Sequence, residues 1–206
     1  MTTSEKNAGT ALIFGSLLLV ATMILHPAQA DGEFKSINII SHSLAIVAIP
    51  FCLYGFQGLS AGFKSSEFLS NTAFAMMAVG LLAGMFAAAI NGLALTFFIA
   101  AHQETAQTAS SIHLILDYSM ALNHAMDYIF IGASVGAILF WSITMIRTEK
   151  FPKWLGYYGI LLVTTGIVLF FIDVQMLSVA GFRMVIFGMV SWILITAYLL
   201  IWSKAN

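Results

Sequence analysis

Ionisable side chains interrupt this chain so rarely that six stretches contain no Asp, Glu, Lys, Arg or His: residues 7–25, 43–63, 68–101, 128–146, 154–172 and 184–203. A helix rising 1.5 Å per residue needs roughly 17 to 25 residues to cross a hydrocarbon core of about 30 Å, and each stretch is long enough. The runs lack the period-2 alternation of a membrane barrel. Helices are the remaining solution, because lipid offers the backbone no hydrogen-bonding partner. The pattern predicts an all-α polytopic membrane helix bundle, one domain over residues 1–206, with six transmembrane helices at about 8–26, 38–62, 69–91, 124–146, 154–174 and 183–203.

Composition agrees. The 206 residues are 60% hydrophobic and 8% charged, where a soluble domain carries roughly 25% charge. A net charge of −1 supplies no basic face for nucleic acid, so the bilayer is the expected partner. Cys52 stands alone, which excludes an internal disulfide and a Cys-rich metal site. Orientation follows from the basic residues. With the N-terminus inside, Lys6, Lys64, Arg147, Lys150, Lys153 and Lys204 are cytoplasmic and only Lys35 and Arg183 lie outside, as the positive-inside rule requires. Both termini are then cytoplasmic (N-in/C-in). An alternative for the first helix is a signal peptide, with Ala28-Gln29-Ala30 as its cleavage site.

Counting from the cytoplasmic basic residues places the polar side chains at one level. Lys6 to His26, His42 to Lys64, Asp127 to Arg147 and Lys153 to Asp173 are separated by 20, 22, 20 and 20 residues, about one membrane thickness each. His26, His42, His102, His113 and His124 therefore lie at or beyond the outer interface, with Asp117, Asp127, Asp173, Asn91 and Arg183. On the fourth helix His113, Asp117, His124 and Asp127 fall within an arc of about 80° at 100° per residue. Such a stripe normally turns toward a bundle interior or wet cavity; a solvated face is the plainer alternative. Helices 3 and 4 are longer than a span requires and are expected to extend on the outer side. The third should break at Asn91-Gly92. The outer parts, 93–101 and 111–122, should form a hairpin whose apolar side folds over the mouth or meets a second copy in a homo-oligomer.

Gly80-x-x-x-Gly84 and Gly132-x-x-x-Gly136 give small-residue packing faces, and Pro50 should kink the second helix. An offset of 82 residues aligns His42 with His124, Gly84 with Gly166 and Asn91 with Asp173; a parallel repeat would set the two histidines facing each other. His26-Pro27, Ser41-His42-Ser43, Asn91-Gly92 and the run from Phe151 to Gly159 (FPKWLGYYG) resemble an uncharacterised bacterial family of small polytopic membrane proteins of unknown function. The resemblance implies an inner-membrane protein that keeps its first helix, and implies no activity.

Two chemistries suit the outer layer. Imidazole and carboxylate suit zinc, iron or manganese: His124 and Asp127 reach one ion from one helix face, and His26 and His42 complete the shell. Asp117 or Asp173 would then act as orienting group or general base toward a metal-bound water, making a metal-dependent enzyme for a lipid or periplasmic substrate. The alternative is a redox protein holding haem b between two histidines, His42 and His124. Further alternatives are a transporter of a small solute or protons through a vestibule of Asn91, Asp127, Asp173 and Arg183, and a structural or accessory protein. His113, Asn91 and Arg183 belong to the polar outer layer in every reading.

Overall fold

The computed structural model describes residues 3–26, 35–63, 66–102 and 109–202. Six helices are long and apolar enough to cross a membrane: α1 (Thr3–Leu25), α2 (Lys35–Ala61), α3 (Glu67–Ala101), α4 (Ala109–Arg147), α5 (Lys153–Phe171) and α6 (Val179–Trp202). They match the six apolar stretches one for one. Lengths of 35 and 39 residues for α3 and α4 give about 52 and 58 Å of helix at 1.5 Å per residue, well over one hydrocarbon thickness.

Each helix packs on its neighbour in the chain, and α6 packs on α1, so the six form a closed ring. Small residues set the close approaches, since in lipid helix association relies on backbone proximity and side-chain packing. A Cβ on Gly55 of α2 would stand 2.8 Å from the Ala8 carbonyl oxygen, and one on Gly9 of α1 would stand 2.9 Å from that of Ala197 in α6. A Cβ on Gly80 of α3 would stand 3.1 Å from the Phe130 carbonyl oxygen of α4, and one on Gly156 of α5 would stand 2.6 Å from that of Ser142 in α4. The joint between α5 and α6 is different. A Cβ on Gly166 would meet nothing within 4 Å, and one on Gly188 would meet only Leu162, at 3.8 Å. Of the two glycine pairs read as packing faces, Gly132 departs: it too opens on empty space, while Gly136 meets Met76.

The ring has a filled centre. Phe56 of α2, Trp141 of α4 and Trp192 of α6 stack across it, with ring centroids 4.9 and 6.3 Å apart. The Trp141 indole donates to Ser60 Oγ at 3.0 Å, whose hydroxyl donates to the Ser70 carbonyl at 2.9 Å. All three aromatics are buried, so the polar atom of Trp141 is satisfied inside the stack rather than stranded.

Helix α2 runs without interruption through Pro50, whose ring faces outward. The expected break in α3 is a widened turn instead: Ala88–Ala94 form a π-helix and the helix resumes at Leu95. At the end of the bundle where α1 begins and α6 ends, Glu5 of α1 pairs with Lys150 at 2.5 Å. The other end carries the histidines.

Candidate functional site

The histidine end is built around the π segment. A π turn holds an extra residue, which lets adjacent side chains serve different neighbours, and such turns recur at functional sites. Here Gly92 faces α2 and Asn91 faces α4. The His42 ring lies so close on Gly92 that any Cβ there would overlap it. Asn38, one turn before His42, donates to Thr96 Oγ1 at 2.8 Å and toward the Gly92 carbonyl at 3.4 Å, so α2 is fastened to the residues just beyond the widened turn. His42 Nδ1 lies 2.8 Å from the Asn38 carbonyl oxygen. A carbonyl only accepts, so Nδ1 carries a proton, and in the neutral ring Nε2 holds the lone pair. The ring of His26, just past the end of α1, sits 5.0 Å from that of His42, tilted by 57°.

On the other side of the π segment a chain of side chains ends on a carboxylate. Ser119 Oγ donates to Asn91 Oδ1, Asn91 Nδ2 donates to Asn123 Oδ1 at 2.7 Å, and Asn123 Nδ2 donates to Asp127 Oδ2 at 2.6 Å. Every donor points the same way, toward Asp127. Such an array fixes the carboxylate and lets each bond polarise the next. Asn38, Ser119 and Asn123 are missing from the sequence-based site. The signal for two of them is spacing: Ser119, Asn123 and Asp127 stand at i, i+4 and i+8, one stripe on one helix.

Arg183 closes the layer from α6. Its Nε donates to the Met23 carbonyl at 3.0 Å and its Nη2 to the His26 carbonyl at 2.8 Å, supplying donors to the last turn of α1, whose carbonyls lack helical partners.

The remaining predicted residues fall elsewhere. His113, Asp117 and His124 are exposed on α4, so most of the ionisable stripe is uncovered at this end, and only its Asp127 edge is half-buried. His102 is exposed, its Nδ1 2.9 Å from the Phe98 carbonyl and its ring stacked on Phe98. Asp173 is exposed in the turn between α5 and α6, at a left-handed φ of 56°, a conformation Asp tolerates better than most residues. Among the described residues, no three His, Cys, Asp or Glu side chains gather at a point where they could hold one ion. Of the set His26, His42, His124 and Asp127, His26 and His42 lie together, Asp127 ends the chain that starts at Ser119 and His124 is exposed. Of the two histidines named for haem, His42 meets His26 and Gly92 and His124 is exposed. Ala28-Gln29-Ala30 and the polar loop 103–108 lie outside the described residues.

Six apolar helices, a filled centre and polar side chains held at one end define a multi-pass membrane protein of the helical-bundle class. Searches against protein-family models, curated proteins and solved structures find no match.

Proposed function

We propose that the protein spans the bacterial inner membrane with both termini cytoplasmic and with α3 and α4 extended on the periplasmic side. In this reading it works at the histidine end as a metal-dependent enzyme on a lipid or periplasmic substrate. The observation that carries the proposal is the His26–His42 pair. With metal–nitrogen bonds of about 2.0–2.1 Å, two imidazoles on one tetrahedral ion have ring centres about 5 Å apart; these stand 5.0 Å apart. The carbonyl behind His42 Nδ1 is the outer-shell partner that metal-bound histidines characteristically have, and it would leave Nε2 to bind the ion. Zinc, iron and manganese suit such donors. In this reading a carboxylate of the same layer would serve as general base toward a metal-bound water: Asp127 is half-buried and fixed by Asn123, whereas Asp117 and Asp173 are exposed.

Metal analysis of the detergent-purified protein tests the site. His26→Ala and His42→Ala each reduce bound zinc, iron or manganese to under about a tenth of the wild-type content. His102→Ala and His124→Ala leave it unchanged. Wild-type content in both of the first two variants removes the site. Orientation has a separate test: a reporter fused at Asn206 is active in the cytoplasm, and periplasmic activity reverses the assignment of faces.

A further inference from the structure

The loose joint between α5 and α6 opens, with α4 as its back wall, into a cavity of about 360 Å³ in the half of the bundle nearer the histidine end. Ile131 and Val135 of α4, Leu162 and Phe170 of α5, and Val185 and Met189 of α6 form its walls, and no charged side chain lines it. Each helix also gives a glycine to the wall: Gly132, Gly166 and Gly188. Elsewhere in the ring glycine lets helices touch; at these three positions nothing stands closer than 3.8 Å to an added Cβ. The cavity lies within membrane-spanning segments, where the surrounding solvent is hydrocarbon. At roughly 30 Å³ for a water-sized unit, comparable to a methylene, it holds about a dozen such units, most of one acyl chain.

What lies above the cavity determines the rest of the ligand. At 100° per residue, Tyr128, Ile131, Val135 and Ile138, all of which line the cavity, fall on the same arc of α4 as Asp117 and His124. A single face of α4 is therefore an apolar wall below and an exposed ionisable strip above. His124 stands one turn beyond Tyr128, and Asp117 about 16 Å beyond it at 1.5 Å per residue. Asp173, between the cavity-lining Phe171 and Val174, brings an exposed carboxylate to the rim. Arg183 is turned the other way, toward the end of α1. A carboxylate and an imidazole at this rim complement a zwitterion, with an ammonium against Asp173 and a phosphate against His124; Asp117, about 10 Å beyond His124 at 1.5 Å per residue, is out of reach of the same head group.

We propose that this cleft binds one phospholipid bearing an amine head group, with an acyl chain between α4, α5 and α6 and its head against His124 and Asp173. The site is separate from the His26–His42 pair, which belongs to α1 and α2, so the two proposals stand or fall apart.

The test uses full-length protein in nanodiscs of equal phosphatidylethanolamine and phosphatidylglycerol, extracted and examined by native mass spectrometry. Wild type is expected to retain one phosphatidylethanolamine per chain, enriched at least about fivefold over phosphatidylglycerol, a difference near 1 kcal/mol. Gly132→Leu and Gly166→Leu fill the cleft and reduce retention at least about fivefold, with thermal stability kept because the new side chains enter open space. Asp173→Asn, which the left-handed backbone at that position tolerates, keeps one lipid but loses the head-group preference; full preference in that variant overturns the head-group assignment. Equal retention in wild type and both glycine variants overturns the proposal, as does wild type that carries no phospholipid or prefers phosphatidylglycerol. Should one glycine variant fail to fold, the other decides.

Discussion

Arg183 shows how one side chain on a distant helix can complete another helix's end. The last carbonyls of α1 lack intrahelical partners, and the guanidinium meets those of Met23 and His26 at 3.0 and 2.8 Å. Arg183→Ala strands them in a half-buried setting, at a cost of about 1–3 kcal/mol, which a thermal melt in detergent reads as a drop of several degrees. Arg183→Lys restores only part of that, since a point charge cannot match the fork. An unchanged melting temperature in both variants would mean that the carbonyls are served by other donors. At this scale the sequence was legible wherever rarity spoke. Five histidines in so apolar a chain could be counted to one end of the bundle, and His26 and His42 do meet there. It was illegible where two residues on one helix differ by a modest rotation. His124 and Asp127 sit about 60° apart on α4, and that angle separates an exposed imidazole from a carboxylate facing α3. Asn123 and Ser119 passed unnoticed because neither side chain is ionisable, and the depth count followed the ionisable ones.

Among the elements, the π segment decides which helices share the polar layer. Excess length and Asn91-Gly92 marked an irregularity in α3 correctly, but glycine and asparagine weaken a break and a widened turn alike, so composition could not choose between them. The observed turn keeps α3 continuous and lets it fasten to α2 through Thr96 and to α4 through Asn91. The fastening to α4 can be measured. In a double-mutant cycle of Asn91→Leu and Asn123→Leu, the coupling energy should be about 0.6 to 2 kcal/mol, the range found for interhelical hydrogen bonds in membranes. Strict additivity of the two substitutions would show that the bond contributes nothing. The small-residue motifs were half legible for a related reason. Gly-x-x-x-Gly says that a face is narrow, and on α4 one such position, Gly136, receives Met76 while the other, Gly132, lines a cavity.

For the whole molecule, the number of spanning helices was fixed by the spacing of charge, whereas the cyclic order of packing was not, because apolar faces in lipid carry little information about which neighbour they meet. The filled centre bears on the transport alternative. Stacked Phe56, Trp141 and Trp192 occupy the middle of the ring, so passage along its axis would require three buried aromatic rings to move. The ring also has two discontinuities, and they do not coincide. Between α6 and α1 there is no peptide link, yet Gly9 sits against the Ala197 carbonyl. Between α5 and α6 there is a short turn, yet the packing is open. A circular permutant should exploit this mismatch, since permutation is tolerated where few contacts depend on the cut. Joining Asn206 to Met1 through a flexible linker and starting the chain at Leu177 should give a protein with wild-type helicity and a melting temperature within a few degrees of the parent. Failure of that permutant to fold would show that the turn holds α5 in place. Success would mean that the bundle is assembled as a circle, in which the existing ends mark only where the thread happens to be cut.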